Sequence, residues 1–193
     1  VRWPDGLPQG VEINDMVHFC DWYPTLLELA GLSVPEDNLP IDGRSIVPII
    51  RGEEPGNDPV RCWQWNRYDP MIECNAAVRD GDWKLIRPRI PEAMEVPEVY
   101  LRWLWVSMFG PEHFIMQGLV PEPQLDRSNL RIPDPQLYNI AEDPLEQNDL
   151  YGSEPERAAR LERKLAGWFE SVESDRSTID DEWGMGMPGL GFR

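Results

Sequence analysis

Basic charge, histidine and cysteine are all scarce in this sequence. Among 193 residues there are 18 Lys and Arg against 35 Asp and Glu, a formal net charge of −17. Nucleic-acid backbones and anionic lipid surfaces select basic faces, so neither is an expected partner. The acidic surface reads first as a solubility feature, and also as a face able to dock on a basic patch of the same polypeptide. The two histidines, His18 and His113, are too far apart in sequence to read as a metal pair. Three cysteines, Cys20, Cys62 and Cys74, form no CxxC and define no disulfide framework. Small buried thiols are their expected state, with a Cys62–Cys74 pair left open for an exported chain. There is no P-loop, GxGxxG or HExxH, no internal repeat, no apolar run long enough to span a membrane and no signal peptide. The chain opens Val1-Arg2-Trp3-Pro4 without an initiator Met, so the start is not taken as a true N-terminus.

What is abundant is tryptophan, nine residues, and proline, twenty. The tryptophans supply large areas to bury, and the prolines predict long irregular connections between short elements. Val1–Trp3 reads as the end of a strand, stopped by Pro4. Residues 14–30 read as a helix capped by Asn14 or Asp15, with Trp22, Leu26, Leu29 and Ala30 at helical spacing and Gly31 at the C-cap. Pro24 fits if a new helix carries it in its opening turn. A polar loop over 34–39 and the turn Asp42-Gly43-Arg44-Ser45 precede a short helical segment over 45–50. Residues 51–59 read as a linker and domain boundary.

Beyond the linker the pattern changes to strands: 60–65, 75–79, 83–87 and 136–140. Asp80-Gly81-Asp82 between two apolar runs is a hairpin signal. Ser153, followed by Pro155 and Glu156, starts a helix over 153–171 whose stripe is Ala158, Leu161, Leu165, Trp168 and Phe169. The insertion 88–135, with an apolar stretch over 99–109, is either a substrate-pocket wall or an accessory packing element. Residues 173–193 read as an extended tail. Asp80, Asp82, Asp143 and Asp149 all sit in turns, where an Asp bonds its own backbone.

Five motifs, in order, carry more than any one alone: Val1-Arg2-Trp3-Pro4-Asp5-Gly6; residues 21–31 (DWYPTLLELAG); Asp42-Gly43-Arg44-Ser45; residues 77–86 (AVRDGDWKLI); and Leu137-Tyr138-Asn139 with residues 143–150 (DPLEQNDL). This series resembles the C-terminal part of the type I, formylglycine-dependent, arylsulfatase-like sulfatases. The resemblance implies an α/β, alkaline-phosphatase-like sulfatase fold present as a fragment. Residues 1–55 would be the last strand and helix of the large α/β domain. Residues 56–172 would be a small α+β subdomain, a short antiparallel sheet packed by the C-terminal helix, with 173–193 as its tail.

The resemblance also implies what is missing. The family nucleophile is a formylglycine made from Cys in a C-x-[PS]-x-R motif. Here Cys20 is followed by Asp-Trp-Tyr-Pro, Cys62 by Trp-Gln-Trp-Asn and Cys74 by Asn-Ala-Ala-Val, and none matches. Ca²⁺ and the formylglycine are therefore expected in a missing N-terminal catalytic part of the same polypeptide, and the chain alone is expected to be inactive and poorly stable. The substrate of the whole would be a sulfated small molecule or glycan. By resemblance Trp65, Asn66 and Arg67 line its substrate side; by their residue types alone they are a strand end with a core Trp and a surface Arg. Many relatives are exported, which leaves periplasmic, extracellular or lysosomal placement of the parent open. A free-standing binding module and a pseudo-sulfatase lacking the upstream Cys are the alternative readings.

Overall fold

A computed structural model describes residues 1–36, 40–53, 59–66, 70–95, 127 and 129–177. The chain divides into two units, Val1–Arg61 and Cys62–Arg193.

The second unit is built on the expected hairpin. Gly81 adopts φ +60°, a left-handed conformation that costs glycine little. With Asp82 it forms a two-residue loop between β2 (Ala76–Asp80) and β3 (Trp83–Arg87). The strands pair antiparallel, Val78 opposite Leu85 and Asp80 opposite Trp83. β4 (Gln136–Asn139) pairs antiparallel on the other side of β3, with Leu137 opposite Leu85. β1 (Arg61–Gln64) flanks β2, so the sheet order follows the chain, β1-β2-β3-β4.

Side chains alternate across a sheet, so Ala76, Val78, Leu85 and Leu137 share one face. A helix over Pro155–Ser177 (called α3 below) covers that face with Ala158, Leu161 and Leu165. Its edge is fixed by charge. Asp80 Oδ2 accepts from Lys164 at 2.8 Å and lies 3.2 Å from Arg160, and the Arg157 guanidinium sits 3.9 Å from the Trp83 ring centroid. These half-exposed contacts set orientation; the buried leucines carry the energy.

Three local readings are corrected. Ser153 does not cap α3: its hydroxyl donates to Leu150 O, and Pro155 opens the helix. The helix continues to Ser177, through residues 173–177 that read as tail, because nothing in Glu173-Ser174-Asp175-Arg176 breaks it and Arg176 pairs with Glu173 one turn back. Asn75 is not a strand residue. It takes φ +52°, accepts from Ile90 N–H on its side chain and donates to Trp65 O, and so joins the end of β1 to the segment after β3. The apolar stretch 99–109, most of the insertion 88–135 and the tail beyond 177 lie outside the described residues.

The first unit has no strand among its described residues. Val1–Trp3 finds no neighbouring strand there, and Trp3 O instead accepts from Gly6 and Leu7 in a turn. The helix expected over 14–30 starts later, as a 3₁₀ turn Phe19–Asp21 leading into α1 (Trp22–Leu29). His18, not Asn14 or Asp15, caps it: its ring accepts from Cys20 N while its own N–H donates to Asp21 Oδ2. Pro24 falls in the opening turn, and Gly31 follows the helix at φ +72°. α2 (Val47–Arg51) is the short helical segment, ended by Gly52 at φ +70°.

The centre of this unit is polar. The fully buried Asp21 carboxylate accepts from the Arg61 guanidinium, from Arg44 N at 3.0 Å and from His18 N at 2.8 Å. Arg61 also donates to Asp42 O at 2.6 Å. Thr25, fully buried one turn along α1, donates to Asp21 O and accepts from Ile46 N. A Cβ at Gly43 would lie 2.0 Å from Cys20 O, so the turn at 42–44 closes over this centre only with glycine.

Leu161 lies in the middle of the sheet–helix layer. Leu161→Ala is expected to lower the stability of the polypeptide carrying this chain by about 2–5 kcal/mol in urea unfolding, the range for a Leu truncated inside a core. A loss below about 0.5 kcal/mol would contradict this packing.

Candidate functional site

The sheet face away from α3 carries Ala77, Arg79, Lys84 and Ile86, by the same alternation. It forms the floor of a cleft of about 520 Å³ walled by Trp63, Ile140, Pro144 and Glu146. Its cations are engaged: Lys84 Nζ donates to Glu146 Oε1 at 2.6 Å, and Arg79 Nε donates to Gly81 O at 2.9 Å. One aromatic wall with two cations and a carboxylate can hold a polar ligand. Among the described residues that line it there is no nucleophile–base pair.

Of the residues expected on a substrate side, Trp65 and Asn66 are described and Arg67 is not. Trp65 follows β1 and is 72% exposed, so it is not a core Trp. Its backbone is held by Asn75 on both sides: Trp65 N donates to Asn75 O, and Asn75 Nδ2 donates to Trp65 O, each at 3.0 Å. Asn66 is half-buried, with Nδ2 3.8 Å from Cys74 Sγ and its buried Oδ1 without a hydrogen-bond partner. An orphaned carbonyl of this kind is costly where water cannot reach it. The pair is thus an anchored backbone that offers the Trp65 ring outward from the end of β1, while the Asn66 amide is turned inward toward Cys74.

Neither Cys20 nor Cys74 is set up as a nucleophile. Cys20 Sγ lies 3.0 Å from His18 Nδ1, which resembles an activated dyad in distance alone. Burial pushes the Cys20 thiol up, and burial together with the Arg61 charge pushes His18 below its ordinary 6.5. Both groups are therefore held neutral, the thiol donating to the ring, which is the reverse of thiolate activation. Cys74 is buried with Ile90 and Ala93, and burial raises its thiol too. Cys62 packs against the separate sheet–helix core, so Cys62 and Cys74 lie against different clusters and are not bridged here. Among the described residues no three His, Cys, Asp or Glu side chains converge as a metal site. The described residues bring no such cluster together for a Ca²⁺ ion, and no cysteine stands in a C-x-[PS]-x-R context that would fit a formylglycine. Sequence reasoning did not find the Asp21–Arg61 centre, because 40 residues separate the partners and, although Asp21 opens the 21–31 motif, Arg61 stands in none.

A family profile described as N-sulphoglucosamine sulphohydrolase, C-terminal, matches residues 1–100. This chain belongs to that sulfatase family. Among curated relatives, an ulvan-active sulfatase of Formosa agariphila is 22% identical over 97% of this chain and 34% of its own length. Human arylsulfatase D is 42% identical over 28% of this chain and 9% of its own, and human steryl-sulfatase 36% identical over 30% and 10%. A structure of a protein in complex with its substrate D-glucosamine-2-N,6-O-disulfate aligns with 84% of this chain and 25% of that one, at 19% identity and a TM-score of 0.43. The chain spans about a third of the length of the relative it matches end to end. What it represents is the C-terminal portion of a sulfatase, with the small four-stranded antiparallel sheet and C-terminal helix as its second unit.

The depressed His18 gives this sulfatase portion a pH signature. The unfolded chain binds the His18 proton near pH 6.5 and the folded chain only at lower pH, so acidification favours unfolding. The His18 contribution is complete above pH 6.5 and is lost as pH falls below it. His18→Gln is expected to give a shallower decline in thermal midpoint between pH 7 and pH 5 than the parent. Parallel declines would show that His18 titrates alike in both states.

Proposed function

We propose that this chain is the C-terminal portion of an enzyme that hydrolyses sulfate esters, and that the groups which break the ester lie in a preceding part of the same polypeptide. The observation that carries this reading is the family match over residues 1–100, set beside three cysteines held as neutral thiols or outside any formylglycine context. In the family, a hydrated formylglycine supplies the attacking hydroxyl and Ca²⁺ polarises the sulfate oxygens. Both belong to the preceding part.

The contribution of this chain is to substrate binding. Trp65 projects from the end of β1 with its backbone pinned by Asn75, a rigid platform for stacking on a sugar or aryl ring. Asn66 stands beside it with its amide turned toward Cys74, and would have to turn outward to bond a hydroxyl or a sulfate oxygen. Arg67 follows in sequence and supplies a cation suited to a sulfate group. A sulfated glycan or small sulfate ester is the proposed substrate class, in keeping with relatives whose names describe activity on ulvan and on steryl sulfates.

The test compares sulfate release by the chain alone with release by the polypeptide that includes the preceding part, on an aryl sulfate and on a sulfated glycan. The chain alone is expected to give no release above buffer, and the joined polypeptide to release sulfate. In the joined form Trp65→Ala is expected to raise KM on the order of tenfold, since stacking on an aromatic platform contributes about 1–3 kcal/mol. Release by the chain alone would overturn the reading. A joined polypeptide that carries no C-x-[PS]-x-R cysteine and releases nothing would mark a pseudo-sulfatase.

A further inference from the structure

The first strand of the sheet, with the residue after it, turns two tryptophans to one side. Cys62 packs against the sheet–helix core on the α3 side, and Trp63, the next residue, walls the cleft on the opposite side. Side chains alternate along a strand, and Trp65 N still donates to Asn75 O beside the start of β2. Trp65 therefore falls on the side of Trp63, two residues and about 7 Å further along. Trp63 is half-buried and Trp65 is exposed. One ring thus lines a cleft of about 520 Å³, and a second ring stands open beside it. A volume of that size lies in the range of small-ligand sites.

The far edge of the cleft belongs to Lys84 and Glu146. Lys84 lies on β3, two strands from Trp63, so their strands run about 10 Å apart. Ala77 and Arg79 lie on β2 between them. Lys84 Nζ gives one of its three N–H donors to Glu146 Oε1, and the carboxylate keeps further acceptor positions. The side chains of the pair are each 29% exposed, so both reach the cleft surface. Together they offer a donor and an acceptor side by side rather than a bare cation. An aromatic wall facing such an edge suits a pyranose ring, whose C–H face is apolar and whose rim carries hydroxyls. A lone sulfate ion would favour a cation without a carboxylate beside it.

We infer that Trp63 and Trp65 form a two-ring platform for consecutive pyranose units of one glycan chain. Trp65 takes the unit that carries the sulfate ester, and its neighbour sits in the Trp63 cleft against Lys84 and Glu146. The inference rests on the proposed role of Trp65 and goes beyond it, because it selects a glycan over a small aryl or steryl sulfate as the substrate class. Trp63 then contributes only to ligands at least two units long.

The test is equilibrium binding by calorimetry on the polypeptide that includes the preceding part, with any C-x-[PS]-x-R cysteine it carries changed to Ala so that ligands stay intact. The probes are sulfated fragments of ulvan and of a glycan containing N-sulphoglucosamine, each one, two and four sugars long. In at least one series, affinity is expected to rise on the order of tenfold from one unit to two, the size of one aromatic stack. Trp63→Leu keeps an apolar wall without the ring, and is expected to abolish that rise while leaving the one-unit affinity unchanged. Trp63→Phe is expected to keep most of the rise. Glu146→Gln, an independent variant at the other edge, is expected to cut the rise several-fold. Affinity that ignores length in both series would overturn the inference, as would a rise that survives Trp63→Leu. Equal losses for one-unit and two-unit ligands in Trp63→Leu would also overturn it, by showing that the ring serves no separate unit. The readout is binding, so it is separate from sulfate release. A pseudo-sulfatase with the length-dependent rise keeps the platform, and an active sulfatase without it loses only the platform.

Discussion

The buried contact between Asp21 and Arg61 sets the rest of the first unit. A carboxylate removed from water is tolerated only where its charge is met and its lone pairs are filled. Asp21 meets that demand with one guanidinium and two backbone N–H groups, from Arg44 and His18. Each donor comes from a different stretch, so satisfying one carboxylate positions the helix entry, the 42–44 turn and the start of β1 together. Gly43 completes the arrangement by letting the turn approach Cys20 O. Because Asp21 and Thr25 both point inward, the apolar residues of α1 are left on the outside. The exposed aromatic face follows from the ion pair.

The two units thus use opposite physics. The second is an ordinary two-layer arrangement in which Val78, Leu85 and Leu137 of the sheet meet Leu161 and Leu165 of the helix. Its charges stay at the rim, where Asp80 guides Arg160 and Lys164. The first buries a polar centre with few apolar side chains around it: Leu7, Met16, Ile46, Val47 and Ile49. A core that small supplies little hydrophobic stabilisation, so the unit gains most from whatever covers its outer face.

Elements whose cause is local could be read in advance. The Asp80-Gly81-Asp82 hairpin has its own left-handed glycine, and the α3 stripe repeats at helical spacing with a proline at its first turn. Gly31 and Gly52 end their helices where short-range rules put them. Features whose cause is distant were not legible. The helical segment starts only at the 3₁₀ turn Phe19–Asp21, with α1 from Trp22, because His18 and Asp21 cap each other; that cause is local, but the pattern of apolar residues does not encode it. Asn75 left the strand because its side chain serves Trp65 and Ile90, partners 10 and 15 residues away. Trp65 read by residue type as a core Trp, yet it is 72% exposed, since a tryptophan at a strand end fits both settings. At the site, Trp65 and Asn66 were legible only as a resemblance, and Arg67 lies outside the described residues.

The central claim is the proposed one, that this chain is the C-terminal portion of a longer sulfatase, and on that reading the preceding polypeptide covers α1. Amide hydrogen exchange over residues 19–30 tests it most directly, measured by mass spectrometry on the chain alone and on the polypeptide that includes the preceding part. The account predicts rapid exchange across α1 in the chain alone and protection by at least tenfold in the joined form, with β2, β3 and α3 nearly equal in both. Equal protection of residues 19–30 in the two forms would contradict it.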